Sequence, residues 1–319
     1  MDRSNFCGCK GVRTCFKCEA EYGLKNACVT SRDEVDNSFV YCTNCDLCWQ
    51  GWSPDTVLSH PNHGGKNFRI KGVYVKNNFI SQAEGESLIQ FLDSLPWDLS
   101  QSGRRKQNFG PKCNFKHRKI KLGNFNGFPK GTEFIQKRFK EVDLMKDYQT
   151  IEQCSLEYDP TRGASIDPHI DDCWVWGERI VTVNLLSDSV LTLRKYHGDN
   201  SKYNLYYSNH EPKVETLRDS YPTVRIPMPK NSLLVLYGEA RYEWEHLILG
   251  KTLPIRLCLN FRKMSAKSDA IKIFHLHLSL NLSIFIYFND SSTFLLQSKL
   301  HPSSGGQLEW CVSGQSYRT

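Results

Sequence analysis

His169 and Asp171 stand two residues apart in the run Ile166-Asp167-Pro168-His169-Ile170-Asp171. On an extended segment, residues i and i+2 project to the same side. One imidazole and one carboxylate can therefore face a single metal ion. A second imidazole, His246, lies on a later stretch that a fold can bring alongside. Two imidazoles and one carboxylate on one face of an ion leave the opposite coordination positions open, as in non-haem Fe(II) oxygenase centres. Ten residues beyond His246 comes Arg256, and Arg262 follows at an even spacing. A regular strand turns both to one interior, where guanidinium groups can pair with a dicarboxylate. Iron with a dicarboxylate points to 2-oxoglutarate as cosubstrate, consumed with dioxygen.

The ordered set, His-x-Asp, then His, then Arg-x5-Arg, resembles the AlkB-like 2-oxoglutarate dioxygenases over about Phe68 to Ala266. Further strings carry the resemblance: Glu152-Gln153-Cys154, Trp174-Val175-Trp176-Gly177-Glu178-Arg179, Gln101-Ser102-Gly103-Arg104-Arg105-Lys106-Gln107 and the N-terminal Cys7-Gly8-Cys9-Lys10-Gly11. It implies a double-stranded β-helix (jelly-roll) core in which His169, Asp171 and His246 hold Fe(II). Tyr158 and Arg256 would take the distal carboxylate of 2-oxoglutarate, and Arg262 would stabilise its metal-proximal end. The implied reaction oxidises an N-methyl group, releasing formaldehyde, while 2-oxoglutarate becomes succinate and CO2.

The matching subgroup implies two substrates, monomethyl-lysine on a protein, actin, and N6-methyladenine in DNA. Where base-repairing members commonly carry an Asn two residues before the cosubstrate Tyr, this chain has Leu156. Where they carry an acidic residue two after the metal Asp, it has Cys173, and Asp172, one residue early, is expected on the other face. These departures rank protein methyl-lysine ahead of DNA. Trp174 and Trp176 can line a pocket for a methylated amine or can be core. A non-catalytic metal-binding scaffold is a third reading, opposed by the complete set of three ligands and two arginines.

The chain of 319 residues has 41 basic and 34 acidic side chains, a net charge of +7 that is unevenly placed. Between Leu99 and Thr132 there is no Asp or Glu, but there are Arg104, Arg105, Lys106, Lys112, Lys116, Arg118, Lys119, Lys121 and Lys130, with Phe109, Phe115, Phe125 and Phe128 interleaved. Such a segment is either a solvated face or a platform for an acidic partner, with Arg104, Arg105 and Lys106 as candidate substrate contacts. Its phenylalanines suit base stacking or anchoring to the core.

Eight of the thirteen cysteines precede Lys66. The first residues carry no apolar run of the signal-peptide kind, so the expected compartments are cytoplasm and nucleus, where closely spaced thiols more often bind metal than form disulfides. Cys7, Cys9, Cys15 and Cys18 form one candidate set and Cys42, Cys45 and Cys48 a second, and with Cys28 they could fill two tetrahedral sites. Two-residue gaps let both thiolates turn onto one ion. Zinc is the default and an iron–sulfur cluster the alternative.

Three regions should position these groups: a Cys-rich region and linker at 1–66, the dioxygenase domain at 67–266, and an extension at 267–319. The linker reads from the turn-rich His60-Pro61-Asn62-His63-Gly64-Gly65. Ser81-Gln82-Ala83-Glu84 predicts a capping box opening a helix, and helical spacing predicts a second helix from Glu133 to about Leu144. Short apolar runs then predict strands near 151–158, 179–186, 189–196, 202–208, 223–228, 232–237 and 255–262. The fold class is mainly β with covering helices. The extension alternates apolar residues with polar ones from Phe274 to Phe288, which argues against a membrane span.

Overall fold

The computed structural model describes residue 9 and residues 14–23, 31–121, 127–210, 221–249 and 256–265. Cys7, Cys28, Phe125 and the extension at 267–319 lie outside the described residues. Helices α1 (Phe16–Tyr22) and α2 (Arg32–Asp36) precede strands β1 (Ser38–Cys42), β2 (Leu47–Gln50), β3 (Asn67–Phe68) and β4 (Val73–Lys76). Helix α3 (Gln82–Asp93) is followed by β5 (Asp98–Leu99), β6 (Arg105–Phe109), the hairpin β7 (Lys112–Asn114) and β8 (Lys119–Lys121), and helix α4 (Glu133–Phe139). The rest is β9 (Glu152–Tyr158), β10 (Ile166–His169), β11 (Trp176–Asn184), β12 (Ser189–Lys195), β13 (Thr223–Met228), β14 (Leu233–Leu236), helix α5 (Gly238–Tyr242), β15 (Trp244–Ile248) and β16 (Arg256–Met264).

Two seven-stranded sheets result, in the orders β10-β15-β12-β13-β1-β2-β3 and β4-β14-β11-β16-β9-β6-β5. Alternation assigns each face of the second sheet. The odd-numbered residues Val181, Val183, Leu233, Val235, Leu257, Leu259 and Phe261 pack against Leu88, Leu92, Ile135 and Phe139 of α3 and α4. The even-numbered Ile180, Thr182, Leu234, Leu236, Cys258, Asn260 and Arg262 line a cavity whose other wall, including Ile166, Leu191, His246 and Ile248, belongs to the first sheet. The expected jelly-roll core with covering helices is therefore present, with its apolar helix packing and its site on opposite faces of the same strands.

The expected capping box forms, since the Glu84 amide donates to Ser81 Oγ and the Ser81 amide to Glu84 Oε2. Two expectations are corrected. The helix from Glu133 ends at Phe139, and a 3-10 turn at Asp143–Met145 completes the run. The strand expected at 202–208 is a loop with a 3-10 turn at Leu205–Tyr207. Asn204 adopts φ 53°, and the buried Tyr203 packs with Ile170 and Cys173 rather than pairing in a sheet. Strand β1 pairs in parallel with β13, so residues 38–50 extend the first sheet. No helix among the described residues is long and apolar enough to cross a membrane.

Candidate active site

Strands β10 and β15 run antiparallel, with His169 directly opposite His246. Neither was legible as a strand in the sequence: Pro168 interrupts one, and the polar Glu245 and His246 break the apolar pattern of the other. The imidazole centroids are 4.2 Å apart, and His169 Nε2 lies 3.6 Å from Asp171 Oδ1. One donor atom from each of His169, Asp171 and His246 falls within 4.8 Å of the others. The i, i+2 spacing thus does bring the imidazole and carboxylate to one point.

The surroundings prepare these groups for a cation. His169 Nδ1 is 2.8 Å from the Asp167 carbonyl, which turns a ring N–H onto that oxygen and leaves Nε2 free to ligate. Burial alone would raise the Asp171 pKa, but the Arg262 guanidinium and the two imidazoles overcome it and hold the carboxylate well below its ordinary range. Burial, reinforced by His169, holds His246 well below the ordinary histidine value, so it is a neutral ligand. A carboxylate held anionic beside two imidazoles is a donor set that Fe(II) accepts.

Arg262, expected at the cosubstrate, is bound to two carboxylates. Its Nε donates to Asp171 Oδ2 at 3.0 Å and its Nη1 to Glu152 Oε2 at 2.6 Å. Glu152 lies opposite Arg262 in the β9–β16 register, so the arginine is clamped between a strand partner and the metal carboxylate. Burial disfavours its charge, yet Asp171 and Glu152 outweigh that and keep it firmly protonated. Glu152 appeared in the sequence only within a resembling string; its even spacing from Tyr158 is the signal that could have found it. Tyr158 lines the cavity and sits opposite Arg256 in the same register, so both expected cosubstrate positions share one rung.

The candidate substrate contacts separate. Arg104 is buried, donates to the Gln101 carbonyl and lies over the Tyr158 ring, 5.7 Å from its centroid, so it braces the cosubstrate wall instead of facing solvent. Arg105 reaches Asp93 at 3.0 Å and Glu157 at 2.5 Å on the helix side of the sheet. Arg104 is thus corrected from a surface platform to an internal tie, while Arg105 is half-buried and tied to two carboxylates. Lys106 pairs with Leu156 in register and so shares the cavity face. Trp174 is buried in the loop after Asp171, and the half-exposed Phe115 at the tip of the β7–β8 hairpin meets its ring edge-on at 6.4 Å. Asp172 accepts from Asn204 Nδ2 at 3.0 Å, and Cys173 is buried against Tyr203.

The cysteines also separate. Cys9, Cys15 and Cys18 cluster, with the Cys15 amide donating to Cys9 Sγ at 3.1 Å and the Cys15 and Cys18 sulfurs 3.8 Å apart. They rest against the 101–104 loop. Gly103, at φ +70°, leaves no room for a Cβ, which would meet the Arg162 carbonyl at 2.5 Å and Cys15 Cβ at 3.1 Å. Cys42 and Cys45 converge, but Cys48 does not join them. It pairs with Tyr41 while Cys42 pairs with Leu47, so alternation puts Cys48 on the opposite face of the hairpin. There burial pushes its thiol up to about 12.

No family model matches the chain. A human protein, "Alpha-ketoglutarate-dependent dioxygenase alkB homolog 4", is 38% identical over 274 residues, covering 82% of this chain and 87% of the relative. The mouse protein of the same name is 35% identical with the same coverage. A Caenorhabditis elegans protein, "DNA N6-methyl adenine demethylase", is 32% identical over 76% of this chain and 81% of its own length. With such identity over most of its length, and with the His169, Asp171 and His246 site assembled, the chain belongs to the AlkB-like 2-oxoglutarate-dependent dioxygenases, alongside alkB homolog 4.

Proposed function

We infer that the protein removes the methyl group of N6-methyladenine in DNA. The observation carrying this is the β7–β8 hairpin: Lys112, Lys116, Arg118, Lys119 and Lys121 are all exposed on it, and its exposed Phe115 abuts Trp174 beside the metal loop. A cationic strip next to an aromatic pair suits a phosphate backbone with one base turned toward the site. The worm relative's name is in line with this reading.

The family's cofactors are Fe(II), 2-oxoglutarate and dioxygen, which together supply the oxidation of the N-methyl carbon. The chain's own residues orient and enclose. His169, Asp171 and His246 would hold the ion, and Arg262 with Glu152 fixes the Asp171 carboxylate. Tyr158 and Arg256 would receive the distal carboxylate of 2-oxoglutarate. Ile180, Leu191, Leu234, Leu236 and Ile248 wall the cavity with apolar surface, which excludes water from the cosubstrate.

A second reading, demethylation of monomethyl-lysine on an acidic protein such as actin, is favoured by Leu156 on the cavity wall and by the buried Cys173, at positions where base-repairing members carry polar groups. Succinate and formaldehyde release by iron-loaded protein, offered N6-methyladenine DNA and a monomethyl-lysine peptide in parallel, tests both. Turnover with DNA is expected; turnover with the peptide alone would replace the first reading by the second.

A further inference from the structure

The turn-rich stretch at 60–65, which reads as a linker in the sequence, folds back onto the β1–β2 hairpin. Residues 54–57 form a 3-10 turn that leads directly into it. His60 and His63, three residues apart, then arrive beside Cys42 and Cys45. One donor atom from each of the four lies within 4.8 Å of the others. The spacing is Cys-x2-Cys followed by His-x2-His.

The internal distances fit a small tetrahedral ion. Zinc with nitrogen ligands at about 2.0–2.1 Å and sulfur at about 2.3 Å requires nitrogen pairs about 3.3 Å apart and nitrogen–sulfur pairs about 3.6 Å apart. His60 Nδ1 and His63 Nε2 are 3.3 Å apart, and Cys42 Sγ is 3.8 Å from His60 Nδ1. The outer groups orient these donors. Trp49 Nε1 donates to Cys45 Sγ at 3.4 Å and its ring stacks on His63 at 4.6 Å, while Ser59 Oγ lies 3.4 Å from the other His63 nitrogen. Trp49 reaches this point because it pairs with Val40 and so shares the Cys42 face of the hairpin. Asp46, at φ 56°, makes the tight turn after Cys45, and its amide donates to the Cys42 carbonyl at 3.0 Å.

We propose that Cys42, Cys45, His60 and His63 form a structural zinc site, separate from the iron site and from the Cys9, Cys15 and Cys18 cluster. Two thiolates and two imidazoles are a closed tetrahedral set that favours Zn(II), leaving no open position for chemistry. The bound ion would tie the 51–66 segment to strands β1 and β2, and through β1 to β13 of the first sheet. Such a tie would fasten a loop without regular strand pairing to the sheet.

The test is zinc content of the full chain after incubation with excess zinc and removal of loose metal, in a background with Cys9, Cys15 and Cys18 changed to Ser and with Asp171 and His246 changed to Ala, so that the iron site takes up no zinc. About one zinc per chain is expected, bound by two sulfurs and two nitrogens in its X-ray absorption spectrum. Cys45→Ala and His63→Ala should each lose that zinc, whereas Cys48→Ala should keep it. No zinc in the background protein, an all-sulfur or sulfur-free shell, or undiminished zinc in Cys45→Ala or His63→Ala, would overturn the assignment. Because the absorption spectrum is read on the background protein, it decides the matter even where a ligand variant fails to fold.

Discussion

Asp171 and Arg262, from a loop on one sheet and a strand of the other, meet at 3.0 Å, and the same guanidinium reaches Glu152 at 2.6 Å. The metal carboxylate is therefore aimed by a residue held across the sandwich. Replacing Arg262 with Leu leaves two buried carboxylates unpaired and should lower stability by about 3–5 kcal/mol. Urea unfolding measures this, and a change under about 1 kcal/mol would show the clamp to be incidental. Arg262→Lys keeps a charge without the two-pronged geometry and should weaken iron binding by about 10–100-fold in chelator competition.

Asp171→Ala removes the anionic ligand and leaves two imidazoles. Succinate production should fall to background, while circular dichroism shows a folded protein. Parental turnover in that variant would sink the metal assignment.

Arg256 shares a rung with Tyr158. If that rung receives the distal carboxylate, Arg256→Ala loses about 2–5 kcal/mol of binding, or at least about tenfold in the 2-oxoglutarate requirement. Titration of cosubstrate checks it, and an unchanged requirement removes Arg256 from the site.

Acid should unfasten α3 from α4. The Arg138 side chain, bonded to Glu84 at 2.6 and 2.8 Å, lowers that carboxyl from 4.5 to about 2, helped by the Ser81 amide. A depressed acid contributes stability above its unfolded pKa and loses it as pH falls through the folded one. The contribution should be complete above about pH 4.5 and fade toward pH 2. Urea midpoints across that window should fall less steeply for Glu84→Gln than for the parent.

The exposed hairpin gives a salt test. Changing Lys116, Arg118 and Lys119 to Ala should weaken DNA of every sequence alike and flatten the slope of log affinity against log salt by about one unit per lost phosphate contact. Arg118 also donates to the Tyr206 and Tyr207 hydroxyls, so Lys116→Ala with Lys119→Ala alone separates charge from hairpin anchoring. An unchanged slope in that pair would make the charges a solvated face.

The sequence by itself determined what depends on short-range periodicity. His169 and Asp171, two residues apart, are kept within reach of one ion by the chain itself. Cys258, Asn260 and Arg262 share the cavity face because extended side chains alternate, and Ser81 with Glu84 closes a cap within one helical turn. Tertiary structure alone decided what depends on which strands pair and how far a loop returns. The pairing of β10 with β15 sets His169 against His246 although neither segment reads as a strand. The β1–β2 register sends Cys48 to the face away from Cys42, and a folded-back loop brings His60 and His63 in its place. Arg104 and Arg105 lie in one basic run with Arg118, yet Arg104 is buried over the Tyr158 ring and Arg105 is tied to Glu157 where β6 pairs with β9. Charge and spacing are local properties; the partner that neutralises a charge or completes a ligand set is chosen by contacts far apart in the chain.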